Sequence, residues 1–304
     1  MAIEIRHVDH IAMAVTDEER QSAILEGLFG FRRRDTYEYP HQGFIGISYD
    51  VPGRSGVGWE VMAPRGEDSF LHRFLEGAQG PGLHHVAFQI DDLDAAMAEL
   101  RAHDIEPFGT ETAEEHNGRD VTFLHPRRGG QGLLVQLFAG PAWNDAEQMR
   151  AERWDPGHPT LGIIELHHLS HAFADREQLV GWYERLFGFR VIFRGPREPD
   201  RAYDTAVLDL PTGETHWELI APRGESSFIQ RFLDERGPGP HHVTFLVEDW
   251  ERALAACRHH GVRPFGEDEG TVDGARYREA FLHPRDTGGM LVQFVWEERP
   301  GSWL

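Results

Sequence analysis

The chain is short of three things, and each shortage closes off a class of protein. It has a single cysteine, Cys257. One thiol forms no internal disulfide, and zinc sites built on several cysteines are excluded. No stretch reaches 18 uninterrupted apolar residues, and the start, MAIEIRHVDH, has no basic segment leading into an apolar run. No membrane span and no signal peptide are therefore expected, and the cytoplasm is the expected location. Basic residues are also scarce: 30 Lys and Arg stand against 51 Asp and Glu, a formal charge of -21. A surface so acidic repels phosphate backbones and anionic membranes, which argues against nucleic-acid and membrane partners. An anionic substrate would need a local basic patch or a bound cation.

What is present is a repeat that fills the chain. The first half contains, in order, DHIAMAV, LFGFR, WEVMAPRGEDSFLHRFL, PGLHHVAF, PFG, FLHPRRGG and LLVQLF. The second half contains HHLSHAF, LFGFR, WELIAPRGESSFIQRFL, PGPHHVTF, PFG, FLHPRDTGG and MLVQFV. Phe29 and Phe187 are 158 residues apart, as are Glu60 and Glu218; His85 and His242 are 157 apart. The 304 residues thus read as two copies of one domain, 1–140 and 161–304, each long enough for its own core. The linker, 141–160, is rich in proline, glycine and charge, with room for one helical turn.

Each copy reads as α+β. Residues 9–15 suit a strand, and 18–28 a helix that stops at Gly30. Strand-like runs follow at 31–37, 44–49, 58–62 and 84–90. A second helix opens on Asp91 or Asp92, with Leu93, Ala96, Met97 and Leu100 on one apolar face. Trp250, Ala253, Leu254 and Cys257 match them in the second copy, where the helix ends at Gly261. Two more strands are expected at 121–124 and 133–138. DHIAMAV followed by TDEERQ also resembles HHVAFQI followed by DDLDAA, so each copy is itself a doubled strand–helix–strands unit.

Four polar residues in each half interrupt apolar strands: His10, Glu60, His85 and Gln136, then His168, Glu218, His242 and Gln293. Alternation puts His10 on one face with Ala12 and Ala14, His85 with Ala87, His168 with Ser170 and Ala172, and His242 with Thr244. Small neighbours leave room for an ion and a ligand, while large residues on the opposite face can pack against helices. A lone histidine in a strand is usually a hydrogen-bonded core residue. Four polar residues repeated together call for a common cause. Two histidines and a carboxylate suit Fe(II), Mn(II), Co(II), Ni(II) or Zn(II), with a glutamine carbonyl as a weaker fourth ligand and up to two ions per chain. His84 and His241 alternate to the other face, where supporting roles are expected.

DHIAMAV, MAPRGEDSF, GLHHVAFQIDDLDAA and FLHPRRGGQGLLVQL resemble the vicinal-oxygen-chelate superfamily, which includes glyoxalases, bleomycin-resistance proteins and extradiol dioxygenases. Within it the nearest likeness is to methylmalonyl-CoA epimerases. The resemblance implies two tandem glyoxalase-like domains, each of paired βαβββ modules forming a barrel-like cavity around a metal. It also implies that the eight residues above are the metal ligands. Epimerases of this type usually carry His, Gln, His and Glu in that order, so glutamine and glutamate have changed places here. Their third-strand glutamate, proposed as a proton-transfer base, falls on Gly46 and Thr205. The resemblance therefore implies the metal cage without the two-base epimerase machinery.

Three functions stay open: a metal-dependent isomerase, epimerase or lyase; an Fe(II) extradiol-type dioxygenase; and a non-catalytic binding or resistance protein. The first is favoured, acting on a small oxygenated molecule, with Glu60 and Glu218 alternating between ligand and base as glyoxalase-like chemistry allows. Tyr49, Tyr203, Asp204 and His216 are further candidates for proton transfer. Arg65 and Arg223, in the APRGExSF loops, are candidates for an anionic substrate group, against a plainer reading in which Ser69 and Ser227 cap helices. His125 and His283 read as structural. A monomer or a homodimer would serve.

Overall fold

A computed structural model describes residues 2–116, 118–142, 157–195, 202–213 and 215–303. The helical turn expected in the linker falls at 143–156, outside the described residues. Each repeat builds one curled eight-stranded sheet. The first holds β1 (Ile5–Ala14), β2 (Arg32–Tyr39), β3 (Phe44–Asp50), β4 (Gly58–Pro64), β5 (Gly82–Ile90), β6 (Phe108–Glu111), β7 (Asp120–Leu124) and β8 (Leu134–Ala139). Their order across the sheet is β2-β3-β4-β1-β5-β8-β7-β6. The second holds β9 (Ile163–Ala172), β10 (Arg190–Gly195), β11 (Tyr203–Asp209), β12 (His216–Pro222), β13 (Gly239–Val247), β14 (Phe265–Val272), β15 (Ala275–Leu282) and β16 (Val292–Glu297), in the matching order. In each, two βαβββ modules meet at the first strand of each module. The second module closes on itself through a parallel pair, β5 with β8 and β13 with β16. Strands β6 and β14 are additions to the sequence reading, since their mostly exposed residues lack an apolar alternation.

The helices start and stop for local reasons. Asp17, Asp92, Asp175 and Asp249 each accept a hydrogen bond from the backbone N–H three residues on, at 2.7–3.0 Å. They open α1 (Glu18–Ile24), α3 (Leu93–Ala102), α4 (Arg176–Phe187) and α6 (Trp250–His259). A short α2 (Leu71–Leu75) and α5 (Phe228–Arg236) follow the APRGExSF loops. Helix α1 continues as a wider π turn over Leu25–Phe29 and stops at Gly30, whose φ of 72° is left-handed. The predicted apolar faces are turned inward: Leu93, Ala96 and Leu100 are buried on α3, and Trp250, Ala253 and Cys257 on α6.

By packing, the chain falls into two compact units. Residues 1–11, 84–143 and 169–241 make one; 12–83, 144–168 and 242–304 make the other. Each unit therefore draws on both repeats. In the first, Phe88 of β5 meets Phe187 of α4 and Trp217 of β12 at ring-centroid distances of 5.5 and 5.9 Å. In the second, Phe245 of β13 meets Phe29, Phe31 and Trp59 at 5.7, 5.8 and 6.3 Å. Phe88 and Phe245 hold the same place in the two repeats, so one aromatic core is built twice. These large rings lie on the strand faces opposite the candidate ligand residues.

Candidate metal centre

His10 on β1, Glu60 on β4 and His85 on β5 are buried, with one potential ligand atom each, all within 4.8 Å of one another. The Nε2 atoms of His10 and His85 are 3.3 Å apart. Gln136 on β8 hydrogen-bonds His85 and is buried with it. The alanines beside these histidines lie in apolar clusters: Ala12 and Ala14 pack with Phe44, Met62 and Leu71, and Ala87 packs with Val121 and Phe138.

Two neighbours of this first site escaped the sequence reading. Asp9, fully buried, lies 2.7 Å from His10 Nδ1 through Oδ2. A carboxylate accepts, so Nδ1 carries the hydrogen and Nε2 presents its lone pair to the site. Tyr37 donates its phenolic hydrogen to Glu60 Oε1. That contact depends on Gly46, the cross-strand partner of Tyr37. A Cβ on Gly46 would lie 2.1 Å from the Tyr37 ring, so the ring occupies the space of a side chain that is not there. A bulge between Arg33 and Asp35 sets this register, which no spacing rule reveals in advance.

His168 on β9, Glu218 on β12 and His242 on β13 form the second buried triad, again within 4.8 Å. Gln293 on β16 hydrogen-bonds His242. The surroundings differ. His167 replaces Asp9, with its Nδ1 at 2.8 Å from Nδ1 of His168. Thr205 donates to Glu218 at 3.3 Å. Thr244 stands where the first site has Ala87, and the Trp303 ring stacks on His168 at 4.4 Å.

Burial holds the His85 imidazole well below its ordinary pKa, with His84 and His10 adding to the effect and Gln136 opposing it. Burial likewise lowers His242 to about 3, against a hydrogen bond that Gln293 accepts. Both rings are thus neutral over the working range, the form that binds a metal ion. Two neutral imidazoles and a carboxylate converging in a buried space fit a divalent transition metal.

The other candidates lie elsewhere. Arg65 pairs with Glu18, and Arg223 with Asp204 at 3.2 Å; both arginines are 42% exposed. Ser227 caps α5 through Ile229 N–H, whereas Ser69 makes only a long 3.4 Å contact with Leu71 N–H. Tyr49 donates to Ser22 at 2.6 Å, and His216 lies 2.9 Å from Asp209. Tyr203 packs on Phe228. His125 and His283 accept the backbone N–H of Arg127 and Arg285, which makes them turn-capping residues. A cleft of about 260 Å³, lined by Arg32, Asp50, Thr160 and Arg252 among others, includes none of the eight ligand candidates.

The fold and site define a class, and comparison with known proteins agrees. The Glyoxalase/Bleomycin resistance protein/Dioxygenase superfamily pattern matches residues 9–123 and 167–281, once per repeat. The chain belongs to this superfamily, as a tandem member. One repeat is 33% identical over 133 residues to the ethylmalonyl-CoA/methylmalonyl-CoA epimerase of Cereibacter sphaeroides, covering 43% of this chain and 96% of that one. It is 29% identical over 130 residues to the human mitochondrial methylmalonyl-CoA epimerase, covering 43% and 72%. Over nearly the whole chain, the fold is similar to that of a mutant 4-hydroxymandelate synthase from Streptomyces coelicolor. That likeness has a TM-score of 0.71 at 16% identity and covers 97% of this chain and 93% of that one.

Proposed function

We propose that the protein is a divalent-metal-dependent isomerase or lyase that moves a proton next to a carbonyl in a small oxygenated substrate. The observation that carries this reading is the buried His, Glu, His triad, present twice. A bound divalent ion would polarise two neighbouring substrate oxygens and acidify the adjacent C–H. His10, His85 and Gln136 would hold that ion at the first site, and His168, His242 and Gln293 at the second. Glu60 and Glu218 each serve as ligand and as proton acceptor, returning the proton to the neighbouring atom. Tyr37 fixes the orientation of Glu60 through its hydrogen bond. One carboxylate per site suits a shift between adjacent atoms better than two-faced epimerisation, because the third-strand base of the epimerases falls on Gly46 and Thr205. Arg65 and Arg223 serve an anionic substrate group by exchanging their present carboxylate partners for it.

Metal analysis of the purified chain should give about two ions, and His85→Ala and His242→Ala should each remove one. Metal content near zero, unchanged by reconstitution, sinks the reading. With acyl thioesters and 2-hydroxycarbonyl compounds as probes, solvent deuterium should enter the substrate without oxygen uptake. The composition of the triad, two histidines and a carboxylate, also supports a second reading as an Fe(II) dioxygenase. Oxygen consumption by the Fe(II)-loaded protein with a catechol or 2-oxo acid would select it.

A further inference from the structure

We infer that the two triads take up metal unequally, and that the hydroxyl of Thr244 sets the difference; the inference rests on the metal-site reading above. At the second site a buried chain of hydrogen bonds has only one self-consistent direction. Trp303 Nε1 and Gln293 Nε2 both donate to a single oxygen, Glu279 Oε2, at 3.0 and 3.1 Å. Because the amide nitrogen of Gln293 is turned to Glu279, its Oε1 faces Thr244. Thr244 Oγ1 donates to that oxygen at 2.8 Å. A hydroxyl has one hydrogen, and here it is spent. Yet Thr244 Oγ1 also lies 2.8 Å from His168 Nε2, so His168 supplies the hydrogen of that bond. His168 Nδ1, 2.8 Å from His167 Nδ1, is then the acceptor.

The consequence is a difference of tautomer. At the second site Nε2 of His168 carries hydrogen and has no lone pair for a cation. At the first, His10 keeps its hydrogen on Nδ1 against Asp9, and Nε2 is ready. Two residues of the chain, Thr244 and Glu279, have no polar counterpart in the first repeat. Thr244 corresponds to Ala87, and Glu279, opposite Val295, corresponds to Val121, opposite Phe138. To take an ion, the second site must break the Thr244 bond and move the hydrogen of His168 to Nδ1, with His167 giving up the hydrogen on its own Nδ1. At the first site Ala87 offers no hydroxyl, and the Nε2 atoms of His10 and His85 face each other at 3.3 Å. Glu279 acts through Gln293 and Thr244, and is a positioning residue.

The test is a Co(II) titration of the metal-free full chain against a competing chelator, read by the visible absorption of each bound ion. Two unequal steps are expected, about tenfold or more apart. Thr244→Val keeps the shape and removes the hydroxyl, and should tighten the weaker step about tenfold while leaving the tighter one unchanged. Glu279→Val should act in the same direction. Glu279→Gln, which still offers one oxygen to both donors, should keep the wild-type pattern. Two equal steps in the wild type, or a Thr244→Val protein with unchanged constants, would overturn the inference while leaving the metal reading intact. No binding at either triad would instead overturn the metal reading.

Discussion

The two sites share a ligand set and a scaffold but not a setting. Around the first, Asp9 and Tyr37 place a carboxylate on His10 and a phenol on Glu60. Around the second, imidazole replaces the carboxylate, Thr205 replaces the phenol as donor to the glutamate, and two alanines of the small face become hydroxyl residues. Ala12 corresponds to Ser170 and Ala87 to Thr244, all buried with essentially no exposure. Duplication copies everything at first. What has stayed the same since then is the donor set, and what has drifted is the control of each donor's hydrogen and charge. Ligand identity alone therefore does not define a metal site; the neighbour on the far nitrogen matters too.

This comparison can be sharpened where the halves should agree and broken where they should not. The largest effect is one of agreement. Phe88→Ala and Phe245→Ala each remove the central ring of an aromatic core and should cost about 3–5 kcal/mol apiece in urea unfolding. A clear inequality would mean that the two cores are not equivalent. Next comes the carboxylate on His10. Asp9→Asn should weaken metal binding at the first site about 10–100-fold and leave the second unchanged, as read by stepwise metal titration. Equal weakening of both sites, or of neither, would remove Asp9 from the account.

The last effect concerns acid. His171, buried, lies 2.9 Å from both Tyr183 Oη and the carbonyl oxygen of Gln131, where the first repeat has Met13. Burial lowers its pKa from 6.5 to about 4. The unfolded chain takes up this proton below about pH 6.5 and the folded one does not until about pH 4. Folding is therefore unpenalised by this group above pH 6.5 and loses up to about 1.4 kcal/mol per pH unit between 6.5 and 4. His171→Met should flatten the stability–pH curve of the metal-free protein in that window by about that slope. An unchanged slope would show that His171 does not stay neutral.

The sequence displayed the candidate ligands because polar residues interrupting apolar strands stand out, and because the repeat showed them twice. Alternation along one strand also foretold the large-ringed face. It could not show Asp9, since a residue next to His10 belongs by alternation to the other face, and its contact depends on one side-chain rotation. Tyr37 reaches Glu60 through a cross-strand register that a bulge determines. Trp303 and Glu279 are separated from His168 by more than 100 residues. Each of these is a property of pairing and of chain return, and no local pattern encodes it. The weak exposed strands β6 and β14 are missed for the converse reason: they have pairing without amphipathic pattern.

The interleaving of the repeats in the compact units has an evolutionary reading. Phe88, from the first repeat, is enclosed by rings of the second, and Phe245, from the second, by rings of the first. A chain severed in the linker would leave each fragment with an uncovered half-core from both units. In this chain each copy therefore covers the core rings of the other, even if one site falls silent. A retained but idle site is free to acquire a new ligand preference, sheltered by a partner that cannot do without its scaffold.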